Sequence, residues 1–134
     1  MKELERLYEE IIVNKNEEEW KKMNKGEKNI LSQYRQNRYA KQSMNEYSCY
    51  SIETDKLYIT EVIWDSEFEE VYNFLKKAGV KQIIFASGWS GALEVLNFLI
   101  DKGCKVVGNE IYKIEYNWDN TQKTEKKGLL IEIN

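Results

Sequence analysis

Residues 81–91 of the chain read KQIIFASGWSG, a short apolar run followed at once by small residues. The run 81–86 (KQIIFA) is typical of a strand buried on both faces of a sheet. Residues 90–102 follow and predict a helix that ends at Gly103, with Leu93, Leu96, Leu99 and Ile100 on its buried face. This part of the sequence therefore predicts one strand–turn–helix step of an α/β fold.

The residues before this segment predict a second step of the same kind. Residues 57–63 (LYITEVI) alternate and are rich in β-branched side chains, which predicts a strand. Ser66 and Glu69 have the spacing of a capping box at the start of a helix, and Gly79 marks the end of that helix. The two steps together predict parallel strands joined by right-handed helical crossovers.

The residues after the second helix predict two further strands. One begins at Cys104, carries a bulge or bend at Gly108 and alternates up to Trp118, as a half-buried strand does. Residues 119–127 are polar and predict a hairpin loop, and residues 129–133 (LLIEI) predict the last strand. The order β-α-β-α-β-β predicts a small, mostly parallel sheet with an antiparallel C-terminal hairpin at its edge.

The N-terminal residues 1–46 predict three short helices. The first carries an apolar stripe, and the second begins with a capping box at Asn16 and ends at residues 24–26. The apolar residues of the three helices include Leu4, Leu7, Tyr8, Ile11, Ile12, Trp20, Met23, Ile30, Leu31, Tyr34 and Tyr39. Because such narrow stripes cannot enclose a core, we expect these helices to pack on residues 56–134 within a single α/β domain, 1–134.

The composition excludes several classes of chemistry. The chain contains no histidine, so it cannot by itself form a Ser-His-Asp or Cys-His centre or supply an imidazole metal ligand. With 20 basic and 23 acidic residues the formal net charge is −3, which disfavours general binding to nucleic acid or to anionic membranes. We therefore predict no catalytic residue, no metal and no cofactor.

The sequence also predicts a cytoplasmic location. Residues 1–10 (MKELERLYEE) carry charges where a signal peptide needs an apolar run, and no segment is apolar over the length of a membrane span. Cys49 and Cys104 match no zinc or redox spacing and are expected to be reduced thiols.

The turn that follows the strand 81–86 is the first candidate for a ligand site. In open parallel sheets ligands bind at the carboxyl ends of strands, where free N–H groups at a helix start favour an anion. The residues at the two predicted strand ends are Trp64, Asp65, Ser66, Ser87, Gly88, Trp89, Ser90 and Gly91. The alternative is a tight turn in which Ser90 caps the helix and the glycines only permit the bend.

The segment 28–41 is the second candidate site, because it contains four basic residues and no acid. Arg35, Arg38 and Lys41 have a spacing that can place them on one helix face, and the neighbouring tyrosines can stack on bases. Any contact with nucleic acid is expected to be confined to this segment, 28–41. The alternative is that this helix docks on the acidic residues of 53–70.

The aromatic content favours an interface with another protein. Aromatic residues make up 13% of the chain, with 9 Tyr and 4 Trp, and such side chains bury area while they keep a polar atom in water. We expect a protein partner or a homodimer, formed through the strand Tyr112–Trp118 or through the N-terminal helices.

Several motifs lie between Leu57 and the C-terminus: Trp64-Asp65 at a strand end, FLKKAGV at 74–80, a strand with a small-residue turn, a Leu-rich helix and Gly103-Cys104. This pattern resembles a family of small uncharacterised proteins encoded on plasmids, conjugative elements and prophages of low-GC Gram-positive bacteria. The resemblance implies a cytoplasmic accessory protein of a mobile element and supplies no catalytic residue. We expect a non-enzymatic protein that binds other proteins, such as an anti-defence inhibitor or a regulator of a nucleic-acid-handling enzyme. The alternative is a small anion-binding domain or enzyme that uses the turn 87–91.

Overall fold

The computed structural model describes residues 2–42, 49–60, 67–86 and 88–134. The helices in these ranges are α1 (Lys2–Tyr8), continued by a π-helical turn (Glu9–Val13), α2 (Glu17–Lys22), α3 (Lys25–Gln42), α4 (Phe68–Lys77) and α5 (Ala92–Asp101). The strands are β1 (Tyr50–Ile52), β2 (Leu57–Ile59), β3 (Gln82–Phe85), β4 (Lys105–Tyr116) and β5 (Lys123–Glu132). The mixed α/β class and the N-terminal helices agree with the sequence prediction.

The described strands form one mixed sheet in the order β1-β4-β5-β3-β2. Within it β2 and β3 are parallel neighbours, and the β1–β4, β4–β5 and β3–β5 pairs are antiparallel. The prediction of a mostly parallel sheet with the hairpin at its edge is therefore wrong. The last strand lies inside the sheet, since its apolar run, Leu129–Ile131, pairs with β3 on one side and with β4 on the other.

The C-terminal hairpin is longer than the sequence predicts. Its ladder continues to the pair Tyr116–Lys123, so the loop is 117–122 rather than 119–127. Residues 123–127 are mostly exposed although they pair with β4, so their polarity does not exclude a strand. The strand β1 was not predicted, because three residues are too few to show alternation. Of the predicted strand 57–63, the residues beyond Thr60 lie outside the described ranges.

The sheet is curved, because β2 and the link 53–56 before it contact β4, which lies three places away from β2 in the strand order. Within this link, Lys56 Nζ donates to Glu110 Oε1 of β4 at 2.8 Å. The rings of Tyr58 (β2) and Tyr112 (β4) stack with centroids 4.8 Å apart. The concave face of the sheet is therefore closed by aromatic stacking.

The helices cover the opposite face of the sheet. Leu4 of α1, Leu31 of α3, Leu75 of α4 and Leu99 of α5 belong to one buried cluster with Ile131 of β5. A smaller cluster on the concave face contains Tyr58, Ile84, Ala86 and Tyr112. The N-terminal helices and the sheet thus share one hydrophobic core.

Side-chain amides of α3 form hydrogen bonds with backbone groups along the free edge of β2. The backbone N–H of Tyr58 donates to Asn37 Oδ1 at 2.8 Å, and Asn37 Nδ2 donates to the Tyr58 carbonyl at 3.1 Å. One turn earlier, Gln33 is fully buried and its Oε1 accepts from the N–H of Thr60 at 3.3 Å. Because β2 is an edge strand, these contacts occupy backbone groups that would otherwise be open to another strand.

Gly26 does not end a helix, contrary to the sequence prediction. Asn24 and Glu27 form a reciprocal capping box that starts α3, with Glu27 N–H donating to Asn24 Oδ1 at 2.8 Å and Asn24 N–H donating to Glu27 Oε1 at 3.0 Å. Gly26 lies in the first turn, where a Cβ atom would approach the Glu70 Cβ of α4 to 2.5 Å. The capping role predicted for Asn16 is confirmed, since its Oδ1 accepts from Glu19 N–H.

Helix α5 buries only part of the predicted face. Leu99 is buried and Leu96 packs against the core, as predicted, whereas Leu93 is 66% exposed and Ile100 is 48% exposed. Ala92 and Val95 are buried in addition. A Leu-rich helix offers apolar residues on more than one face, so periodicity alone did not determine which face meets the core.

Burial of Tyr58 predicts a measurable change in its acidity. Burial, followed by the neighbouring Tyr112 and Tyr50, raises the pKa of Tyr58 from 10.0 to about 12. The folded chain therefore keeps this proton between pH 10 and 12 while the unfolded chain releases it, so the free energy of unfolding falls as pH rises through this range. In an ultraviolet absorbance titration, Tyr58→Phe is expected to remove the highest of the phenol ionisations. If the ionisation that is missing from the titration curve of the variant lies near pH 10 instead, the burial effect is contradicted.

Candidate functional site

The predicted ligand turn is described only in part. Trp64, Asp65, Ser66 and Ser87 lie outside the described residues. In the described part, Gly88 and Ser90 are exposed. Gly91, rather than Ser90, is the N-cap of α5, with φ of 83° and no side-chain cap hydrogen bond. A glycine suits this position because other residues rarely adopt such a positive φ.

Trp89 is anchored against the end of β3. Its ring lies 5.2 Å from that of Phe85, and its indole Nε1 is buried without a hydrogen-bond partner among the described residues. Residues 88–91 line none of the cavities that the described residues form beside α3, beside β4 and between the N-terminal helices. Ligand binding by this turn therefore stays a prediction.

Two residues of the predicted basic patch line one polar cleft. Arg38 and Lys41 border a cavity of about 340 Å³ between α3 and the link that joins β1 to β2. Lys41 pairs with Asp55 of this link, and Arg38 Nη1 lies 3.6 Å from Glu5 Oε1. Hydrogen bonding to the Tyr34 hydroxyl is the largest cause that raises the pKa of Arg38. Both cations are thus paired within the chain, but only Lys41 pairs with the acidic segment 53–70 that the docking alternative names.

Arg35 lies apart from these two residues. It lines two other cavities: one on the side of α1 and α2, and a smaller one along α3 with Ser32, Gln36 and Tyr39. Its guanidinium has no ion-pair partner in the described part of the chain, whereas Arg6 has two and Arg38 has one. The structure therefore divides the three predicted patch residues between different surfaces.

The cavity beside Arg35 is an open groove, which we call the helical groove. It has a volume of about 580 Å³, and a further cavity of about 510 Å³ lies by β4 at residues 109–114. The lining residues of the helical groove are Tyr8, Ile11, Ile12, Val13, Lys15, Asn16, Glu17, Trp20, Leu31, Ser32 and Arg35. Its size lies in the range usual for binding pockets.

The π-helical turn shapes one wall of this groove. The N–H of Asn14 donates to the Glu9 carbonyl and that of Asn16 to the Ile11 carbonyl, both five residues back. Lys15 then has a φ of 51° and reverses the chain into α2. Within this turn Ile11 is buried, whereas Val13 at its end is 56% exposed. Single π-helical turns occur frequently at functional sites.

The sequence pattern does not predict this groove. The spacing of Tyr8, Ile11 and Ile12 predicts one stripe that faces the core and gives no sign of a π-helical turn. The available signal was the break at residues 13–16, where a helix ends and the next one is capped by Asn16.

The predicted interface strand has one fully exposed aromatic residue. Tyr112 is buried on the concave face of the sheet, and Trp118 in the hairpin loop is 90% exposed. Among the described large apolar residues Trp118 has the greatest exposure.

The described residues include no group of three or more Cys, Asp and Glu side chains placed to hold a metal ion. In the same ranges no helix has the length and apolar character needed to cross a membrane.

The chain is an α/β protein with a curved mixed sheet and helices on the convex face of that sheet. The groove between its N-terminal helices is a candidate binding surface. Residues 42–133, about two thirds of the chain, match the family described as Domain of unknown function (DUF7698). The chain belongs to this family. The matched region contains the sheet, α4 and α5, and the helical groove is formed by residues that precede it. No curated protein and no solved structure matches the chain.

Proposed function

We propose that the chain is a non-enzymatic protein-binding module and that the helical groove is its binding surface. The position and the unpaired charge of Arg35 are the main support for this proposal. It is an arginine without an ion-pair partner in the described ranges, and it stands beside an apolar groove that contains Trp20 and Tyr8. Trp, Tyr and Arg are the residue types that dominate the energetics of protein interfaces.

The charges around the groove indicate the kind of segment that it binds. Lys15 and Arg35 line it together with one acid, Glu17, although the whole chain has an excess of acids. Lys28 Nζ also lies 5.4 Å from the ring of Trp20. A segment with one or two large apolar side chains and a nearby carboxylate matches this lining, because the carboxylate can form a bidentate pair with the Arg35 guanidinium.

A more specific form of this proposal rests on the sequence resemblance. In this form the chain is an accessory protein of a mobile element and inhibits or regulates a nucleic-acid-handling enzyme. The net charge of −3 supports it, because an acidic protein can compete with nucleic acid for a basic surface.

Selection of a displayed random peptide library on the purified chain tests the proposal. The selected peptides are expected to share an aromatic or long aliphatic residue close to Asp or Glu. Arg35→Glu is expected to weaken their binding at least about tenfold, because it replaces an attractive charge pair with a repulsive one. Isothermal titration calorimetry with synthetic peptides measures the change.

Lys123→Glu is the matched control, since it makes the same kind of charge reversal at an exposed position on β5. This variant is expected to bind the selected peptides as the wild type does. The proposal fails if no sequence is enriched, or if the enriched peptides bind the Arg35→Glu variant equally well.

A further inference from the structure

The hairpin loop presents Trp118 on a rigid support. Asn117 N–H donates to the Gln122 carbonyl and Gln122 N–H donates back to Asn117 Oδ1, both at 3.1 Å. Asp119 Oδ1 accepts from the N–H of Thr121 at 3.1 Å and from its hydroxyl at 2.7 Å. These bonds restrain the backbone of residues 117–122, so little backbone conformational entropy is lost when a partner buries the exposed indole.

The loop carries a negative charge beside its apolar residue. Hydrogen bonds from Thr121 lower the pKa of Asp119, so its carboxylate is ionised at neutral pH. A carboxylate that accepts two hydrogen bonds on one oxygen can still bind a cation with its second oxygen. Trp118 and Asp119 thus form an adjacent apolar and acidic pair on a loop that projects into solvent.

This pair complements the helical groove. The groove offers apolar walls, Trp20 and the Arg35 guanidinium, and none of the described loop residues lines it within the same molecule. We infer that the groove receives the hairpin loop of a second copy of this chain, with the Trp118 indole on its apolar walls and the Asp119 carboxylate beside Arg35. The inference rests on the proposed function of the groove and names its partner.

The geometry of such an assembly follows from the use of two different surfaces. Two copies that exchange loops form a reciprocal pair, and copies that bind in one direction only form a chain or a ring. In either case each contact needs one intact loop and one intact groove. This requirement makes the inference testable by complementation.

Sedimentation velocity over a concentration series, from low micromolar to near millimolar, measures the association. The mean mass of the wild type is expected to rise above the 16.0 kDa of one chain. Trp118→Ser and Arg35→Glu are each expected to remain at 16.0 kDa. Asp119→Asn keeps an oxygen for Thr121 but loses the charge, and it is expected to weaken association about tenfold.

A mixture of Trp118→Ser and Arg35→Glu gives the decisive result. The first variant has an intact groove and the second an intact loop, so the mixture is expected to form a pair although neither variant associates alone. Leu93→Ser changes another exposed apolar residue and is expected to associate as the wild type does. Circular dichroism checks that every variant is folded.

A wild type that stays monomeric throughout the series overturns the inference, and so does a mixture that forms no pair. If the wild type is monomeric while selected peptides bind in a manner that depends on Arg35, the inference fails and the proposed function stands. If no peptide depends on Arg35 and the chain is monomeric, both fail.

Discussion

Replacement of Gly26 by alanine is expected to lower the free energy of unfolding by about 3 kcal/mol, the upper part of the usual range for overpacking. The added Cβ would lie 2.5 Å from the Glu70 Cβ and 2.7 Å from the backbone nitrogen of Val71. Because one of these atoms belongs to the backbone of α4, a change of side-chain rotamer cannot relieve the contact. Urea denaturation followed by circular dichroism measures the change.

Helix propensity predicts the opposite sign for this substitution. Alanine is favoured over glycine within helices by up to about 1 kcal/mol, so a stabilised variant would show that α3 and α4 are not in close approach at this point. Gly88→Ala is the matched control. A Cβ at Gly88 meets no atom of the described residues within 4 Å and the φ of Gly88 is not positive, so the stability of this variant is expected to stay close to that of the wild type.

Gly26 shows how far local sequence patterns determine this fold. The pair Asn24 and Glu27 carries a capping signal that places the start of α3, and the positive φ of Gly79 and Gly103 agrees with their predicted positions at helix ends. A close approach between α3 and α4 has no local signal, because it depends on residues that are 44 positions apart. Glycine as a helix end and glycine as a contact point therefore look alike in the sequence.

The sheet order has the same cause. The apolar runs at 83–85 and 129–131 are alike, and both predict a buried strand. The order of the strands depends on long-range pairing. Neither apolar run therefore predicts that β5 lies between β3 and β4. Local periodicity thus predicts the strands better than it predicts their neighbours.

The candidate site was harder to predict than the fold. Sequence spacing placed Arg35, Arg38 and Lys41 together because it treats a helix as an isolated cylinder. In the folded chain Arg38 meets Glu5 of α1 and Lys41 meets Asp55 of the β1–β2 link, which leaves Arg35 on another surface. The groove itself depends on a π-helical turn, which requires hydrogen bonds that no residue pattern specified.

Replacement of Asn37 by alanine is expected to destabilise the chain by about 3 kcal/mol. The substitution leaves the N–H and carbonyl of Tyr58 without the partners that Asn37 provides, and it also removes the bond from Asn37 Nδ2 to the Gln33 carbonyl at 2.7 Å. Each polar group left unsatisfied in a buried setting costs about 1–3 kcal/mol. Urea denaturation measures the decrease in the free energy of unfolding. Asn97→Ala, at an exposed position on α5, is the control and is expected to decrease this free energy far less.

Asn37→Asp separates the two halves of this contact. The new carboxylate keeps the oxygen that accepts from Tyr58 N–H but places a charged oxygen against the Tyr58 carbonyl, where the amide donated. Protonation restores a donor, so the stability difference from wild type is expected to shrink as pH falls through the range where the introduced carboxylate takes up its proton. A difference that does not change with pH would show that the amide fills space rather than pairs with the strand.

Because β2 is an edge strand, loss of the amide donor at Asn37 also exposes a backbone site for another chain. Light scattering at elevated protein concentration measures this second effect separately from the free energy of unfolding. Aggregation that rises in Asn37→Ala and not in Asn97→Ala would therefore show that α3 protects the sheet edge as well as stabilising it.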